Sequence, residues 1–252
     1  MLKLIRTCVV TLVAGILPPG LAALSAASEP VRIVAFGDST TAPRLDLVLY
    51  ATLLEEELNR RAAVPVKMIN AGVRGDTTAA AALRLDRDVL AHDPALVIIQ
   101  FGINDSAIDV WKTPPATGPR VPLDQFRANL RHFIKTLKGR GATVILMTPN
   151  PLAWTPALQK QYGRPPYDPQ DPAGFNVPLV AYTEAVRELA TAMQVPLVDV
   201  ARAHAEHARH STEPLLLDGI HPNGEGHKLV ARLLIDLVTT QRLVPGLEGR
   251  KE

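Results

Sequence analysis

A serine, a histidine, an aspartate and two groups of N–H donors stand in this sequence at turns between regular segments. Gly37-Asp38-Ser39-Thr40 carries a hydroxyl that becomes a nucleophile once a neighbouring base takes its proton. Asp218-Gly219-Ile220-His221 sets a carboxylate three residues ahead of an imidazole. A neutral imidazole is the usual base for a serine, and a carboxylate on its other nitrogen fixes the tautomer and stabilises the imidazolium that forms. Gly75, in the stretch Asn70–Thr78, can present a backbone N–H where a helix opens. Asn104, in Phe101-Gly102-Ile103-Asn104-Asp105, can present a side-chain amide. Both are groups that hold a developing oxyanion. Each stretch alone has a plain structural use: Asp, Ser and Thr cap helices, Asn-Asp makes turns, and His221 can simply pack at a helix entry. Together they supply a nucleophile, a base, an orienting acid and an oxyanion hole.

The segments between these turns have the pattern needed to bring them together. Short apolar runs at Val31–Phe36, Val66–Ala71, Leu96–Phe101, Thr143–Met147 and Pro196–Val200 read as strands. Leu45–Arg61, Thr78–Ala91, Leu123–Arg140 and Leu179–Met193 carry apolar residues at helical spacing, and Gly224–Val238 reads as a closing helix. Strands apolar throughout and separated by single helices predict βαβ units and a buried parallel sheet. In such a sheet the loops leaving the carboxyl ends of the strands flank the ligand crevice. Two of them are long. Asp105–Pro122 holds Trp111, and Thr148–Pro178 holds eight prolines with Trp154, Tyr162, Tyr167 and Phe175. Loops of this length in a compact domain are functional or disordered, and their aromatic content predicts ordered, packed ones.

With these residues in order along the chain, the sequence resembles the SGNH, or GDSL-type, serine esterases. The matching stretches are Gly37-Asp38-Ser39, Asn70 to Gly75, Gly102-Ile103-Asn104-Asp105 and Asp218 to His221, and the likeness runs from about Val31 to Val238. It implies an α/β fold, a flavodoxin-like three-layer α/β/α sandwich on a five-stranded parallel sheet. It also implies Ser39 as nucleophile, His221 as base, Asp218 as its partner, and an oxyanion hole of Ser39 N–H, Gly75 N–H and the Asn104 amide. Many lipase-like members have leucine after Gly-Asp-Ser. Thr40 and Thr41 here are closer to the branch that deacetylates pectin and xylan.

Composition sets the remaining limits. The chain has 252 residues, 47% hydrophobic and 21% charged, which is the balance of a folded protein with a sizeable core. Lys3 and Arg6 precede an uncharged, largely apolar stretch ending in Ser25-Ala26-Ala27-Ser28, the pattern of a signal peptide over residues 1–27 cut near Ala27. An uncleaved anchor is the other reading, but Pro18-Pro19-Gly20 interrupts the apolar run. Cleavage removes Lys3, Arg6 and the single cysteine, Cys8, leaving basic and acidic residues in equal number over a single domain, 28–252. The expectation is a secreted or periplasmic protein without a disulfide, a membrane span or the basic excess that nucleic acid requires.

His204, His207 and His210 recur at steps of three, each of which turns the direction by about 60° on a helix, and they gather no further ligands, so neither metal nor cofactor is expected. Trp111 and Trp154 are candidate platforms for sugar rings and equally anchors for their loops. Arg44, Arg74 and Arg164 suit an acidic substrate, although solvated surface arginine is the commoner role. The resulting expectation is a secreted serine esterase acting on short acyl esters of carbohydrates, O-acetyl foremost. A lysophospholipase or thioesterase of broad acyl range, a carbohydrate-binding protein without turnover, and acyl transfer to a sugar acceptor are the alternatives.

Overall fold

The computed structural model of the chain describes residues 29–44 and 46–244. The expected signal peptide, with Cys8, lies outside the described residues. Five parallel strands, β1 (Val31–Gly37), β2 (Val66–Gly72), β3 (Leu96–Gln100), β4 (Thr143–Met147) and β5 (Leu197–Val198), form one sheet in the order β2-β1-β3-β4-β5. This is the flavodoxin-like doubly wound order. The register matters most for function. Gly37 pairs with both Gly72 and Gln100, Gln100 with Met147, and Met147 with Val198, so all five strands end in one row. The turns that follow them leave the sheet side by side.

Alternate side chains of the strands feed two cores. Ile33, Ala35, Ile98 and Ile145 face α1 (Tyr50–Arg61) and α9 (Gly224–Thr240). Val34, Phe36, Ile99 and Leu146 face α2 (Thr78–Ala82), α3 (Leu85–Asp88), α5 (Leu123–Gly139) and α7 (Leu179–Ala192). Helices on both faces complete the three layers that the alternating pattern predicts. In α5 the stripe Phe126, Leu130, Phe133, Ile134 and Leu137 is fully buried, each side chain contributing about 1.5–3 kcal/mol through removal from water.

The elements depart from the sequence pattern in three places. Helix α1 starts at Tyr50 and not near Leu45, because Asp46 takes a left-handed φ of 61° and Leu49 is extended. The expected Thr78–Ala91 helix breaks into α2, α3 and a short 3₁₀ turn at Leu90–His92, because Arg84 leaves helical geometry to reach back to the sheet edge. β5 keeps two residues, because Asp199 turns the chain out of the sheet edge and caps α8 (Val200–His210) by accepting from the Arg202 N–H.

The long loops are ordered. The first opens with α4 (Ile103–Ser106), and the second contains α6 (Pro156–Tyr162) and a 3₁₀ turn at Gly174–Asn176. Val110, Leu158, Tyr162, Tyr167 and Phe175 form a third small core that joins the two loops. Trp154 stacks on Phe175 with ring centroids 4.4 Å apart.

Candidate active site

Ser39 sits at the tip of a tight turn leaving β1. Asp38 builds that turn: its carboxylate accepts the Thr40 N–H at 2.9 Å and the Thr40 hydroxyl at 2.8 Å, and its carbonyl accepts from Ala42 N–H at 3.0 Å. Thr40 is buried and also meets the Gln100 side chain, so it stiffens the turn from inside. Asn70 ties the turn to β2 by donating to the Thr41 carbonyl. Residues 41 and 42 cross the end of β2 so closely that a Cβ on Gly72 would strike their backbone.

His221 reaches Ser39 from the far end of the chain. Its Nε2 lies 3.0 Å from Ser39 Oγ, and its Nδ1 lies 2.8 Å from Asp218 Oδ2. The turn carrying it is tightly held. Asp218 accepts the backbone N–H groups of Ile220 and His221, and the Asn150 amide donates to the Ile220 carbonyl. Gly219 has a φ of 86° and packs on the Ala153 backbone, where a side chain would collide. Asn223 then caps α9.

The electrostatics favour a neutral imidazole beside an ionised carboxylate. Burial lowers the pKa of His221, as do Arg44 and Arg74, against the upward pull of Asp218. Burial raises that of Asp218, but the hydrogen bonds from His221 and Ile220 outweigh it and hold the carboxyl below the usual range. Asp38, wholly enclosed, is pushed up by burial to about 7. Asp105, on α4, is pushed up to about 6 for the same reason, while accepting from the Thr78 N–H and hydroxyl.

Three residues with candidate N–H donors, Ser39, Gly75 and Asn104, line one cavity. The backbone N–H groups of Ser39 and Gly75 make no hydrogen bond among the described residues. Gly75 has a φ of 75°, which favours glycine. The Asn104 amide is oriented from behind: its oxygen accepts from Arg120 Nη1 at 3.1 Å, while its nitrogen has only a long 3.5 Å contact to Asp38. Arg120 is itself clamped on Asp109, whose side chain is 4% exposed, with Nη2–Oδ1 at 2.7 Å. Arg84 performs a similar task below Gly75, bonding Asp76 and the carbonyls of Gly37 and Ala71, while Thr77 caps α2.

Ser39, Gly75, Asn104 and His221 open on one cavity of about 320 Å³. Ile103, Leu152, Phe175, Leu179 and Ile220 give it an apolar wall, and Arg44, Arg74 and Arg120 a basic one. Neither tryptophan lines it. Trp154 is taken up in the loop core, with its Nε1 bonded to the carbonyls of Asp168 and Asp171. Trp111 is 43% exposed and donates to the Tyr162 hydroxyl, one residue removed from the cavity wall.

The histidines of α8 stay apart. His204 is buried and pushed down to about 4 by that burial, His207 meets the Glu213 carbonyl, and His210 meets Glu206. Among the described residues no group of three or more His, Cys, Asp or Glu side chains is arranged to hold a metal. Nor is any described helix long and apolar enough to cross a membrane. No motif or spacing in the sequence marks Arg84, Arg120 or Asp109. The only signal for Arg84 was a charge among the apolar residues of an expected helix, and the other two lay in an unpatterned loop.

Comparison with known proteins identifies the family and the fold. The model of the GDSL-like Lipase/Acylhydrolase family matches residues 35–229. The uncharacterized lipoprotein YqeF of Bacillus subtilis is 30% identical over 209 residues, covering 76% of this chain and 81% of the relative. An acetylxylan esterase of Geobacillus stearothermophilus is 28% identical over 174 residues, covering 68% of this chain and 71% of the relative. The crystal structure of a lipase/acylhydrolase from Enterococcus faecalis superimposes with a TM-score of 0.64 at 27% identity, over 83% of this chain and 96% of that one.

Proposed function

The chain belongs to the GDSL-like lipase/acylhydrolase family and is a carboxylic ester hydrolase, and from that premise we propose an exported serine esterase that removes short acyl groups, O-acetyl foremost, from a carbohydrate. The observation that carries the mechanism is the unbroken series from Ser39 Oγ through the His221 ring to Asp218, at 3.0 and 2.8 Å, beside free N–H donors. His221 Nε2 takes the Ser39 proton as Oγ attacks the ester carbonyl. The charge that builds on the carbonyl oxygen is held by Ser39 N–H, Gly75 N–H and the Asn104 amide. The imidazolium, steadied by Asp218, returns its proton to the departing alcohol. Water, activated by the same imidazole, then releases the acyl group from Ser39.

The carbohydrate reading is supported by the name of the Geobacillus relative and by Trp111, whose exposed ring lies just outside the cavity wall. Export is supported by the character of the first 27 residues and by a relative named a lipoprotein. One observation favours a second reading. The apolar wall of Ile103, Leu152, Phe175, Leu179 and Ile220 suits acyl groups longer than acetyl, as a lysophospholipase or thioesterase of broad range would need.

The test uses the protein beside Ser39→Ala, on p-nitrophenyl esters from acetate to palmitate and on acetylated xylan and pectin with acetate as the readout. Acetate release from a polysaccharide, lost by at least three orders of magnitude in the variant, is the expected result. Asp218→Asn should be milder than His221→Ala. Preference for long acyl chains would move the substrate to lipid or thioester, and equal slight losses in all three variants would sink the mechanism.

A further inference from the structure

The side chains lining the cavity include three arginines and no carboxylate among the described residues. Arg120 is neutralised at close range by Asp109, but the other two are not. Arg44 lies 3.8 Å from Asp218 Oδ2, and that carboxylate is already engaged by His221. Arg74 donates to the carbonyl of Pro43, which draws its guanidinium toward the residue preceding Arg44. Two cations thus share one rim of the cavity, on the side of the His221–Asp218 pair. The Arg44 side chain is only 23% exposed, so part of its hydration is already lost. Both arginines also act on His221, disfavouring its protonated form. Two cations beside a base that must itself become cationic work against the help Asp218 gives the imidazolium, and a further anion between them would relieve that.

His221 has to protonate the departing alcohol, so the alcohol part of the substrate lies along this rim, while the apolar wall takes the acyl group. We infer that Arg44 and Arg74 form a carboxylate subsite, and that the preferred substrate is an ester whose alcohol portion carries a carboxylate close to the ester oxygen, as an acidic sugar residue would. The planar guanidinium fork matches a carboxylate, and charge-assisted hydrogen bonds there are shorter and stronger than neutral ones. An anion in that place would also offset the rim's pressure on the His221 imidazolium.

This inference rests on the serine esterase reading, and the experiment separates the two. The purified protein is assayed on 3-acetoxybenzoate and on its neutral counterpart 3-acetoxybenzamide, and the ratio of kcat/KM between them is read. The expected ratio is at least ten, carried in KM and falling as sodium chloride is raised. Arg44→Gln and Arg74→Gln should each lower it at least threefold, and the double variant should bring it near one. Comparing ratios cancels the reactivity of the leaving group and any change in basal rate. As a check independent of turnover, the Ser39→Ala protein should bind 3-hydroxybenzoate at least tenfold more tightly than 3-hydroxybenzamide. Turnover of both esters with a ratio near one, or a ratio unchanged in the double variant, overturns the subsite and leaves the esterase standing. Turnover of neither ester overturns the esterase reading and the inference with it.

Discussion

Replacing Arg120 with methionine should slow acyl transfer without weakening substrate binding. The Asn104 amide can serve the oxyanion only with its nitrogen toward the cavity, and rotation about its last torsion exchanges nitrogen for oxygen with little intrinsic preference. The bias comes from Arg120 Nη1, 3.1 Å from the amide oxygen. A hydrogen bond to a charged group contributes about 1.5–3 kcal/mol, enough to hold one orientation more than tenfold over the other. Removing an oxyanion donor outright costs about 2.7–4 kcal/mol, so Asn104→Ala should lower kcat by about 10² to 10³. Arg120→Met, which frees the amide without deleting it, should lower kcat by about ten- to a hundredfold and leave KM within about twofold, because the donor acts on charge present only in the transition state. The substitution also leaves Asp109 with Lys112, at 2.7 Å, as its remaining partner, so a loss of about 3 kcal/mol in stability should accompany it. Rates are therefore measured well below the thermal transition of the variant. The decisive assay is the double variant. In an Asn104→Ala background, Arg120→Met should cost less than about threefold in kcat, because the amide it orients is gone. A full ten- to hundredfold loss in that background would refute the argument and place the guanidinium elsewhere in the reaction.

Other perturbations test the surrounding charges. Because burial and the two rim arginines hold His221 below the ordinary imidazole value, the acid limb of kcat/KM on a neutral ester should have its midpoint below pH 6.5. Removing both cations favours the imidazolium, so in Arg44→Gln/Arg74→Gln that midpoint should move upward, and a downward shift would contradict the assignment. Arg84→Met strips a nearly enclosed Asp76 and two strand-end carbonyls of their donor, and should cost about 3–5 kcal/mol in urea unfolding, less when Asp76→Asn is added. Asp38 has a folded pKa of about 7 against an ordinary 3.8, so between those values the native state binds a proton that the unfolded chain has released. Its contribution therefore falls as pH rises through that window. Stability measured from pH 4 to 8 should decline less steeply in Asp38→Asn, and an unchanged slope would count against a protonated Asp38.

The fold was legible where one physical term dominates. Strands such as Leu96–Gln100 are buried at every position because both faces are covered, and a run of four apolar residues like Leu96–Ile99 has few other uses. The long α5 shows the same directness, since Phe126, Leu130, Phe133 and Leu137 mark one face with nothing to compete against them. The candidate site residues stand out in the sequence for a related reason. Ser39, Gly75 and Asn104 each follow directly on a strand, and aligned strand ends bring whatever follows them to one edge.

What stayed hidden is everything set by a partner distant in sequence. The stretch 78–91 has the spacing of a continuous helix, and local propensity supports one. Yet Arg84 leaves helical geometry to reach Asp76 and the carbonyls of Ala71 and Gly37, two of them on strand ends, and apolar spacing carries no trace of such partners. The start of α1 is shifted by backbone conformation that apolar spacing does not record: Asp46 is left-handed and Leu49 extended, so the helix begins only at Tyr50. Arg120 and Asp109 are eleven residues apart in a loop without periodicity, and their pairing acquires meaning only when Asn104 arrives beside them. The proposed nucleophile, base and donors stand out by type and order because the proposed chemistry dictates the residue. The groups that aim them answer to geometry alone, and many residue types could have done the aiming. The sequence therefore announces the candidate reacting atoms more clearly than the arginines that hold them in place.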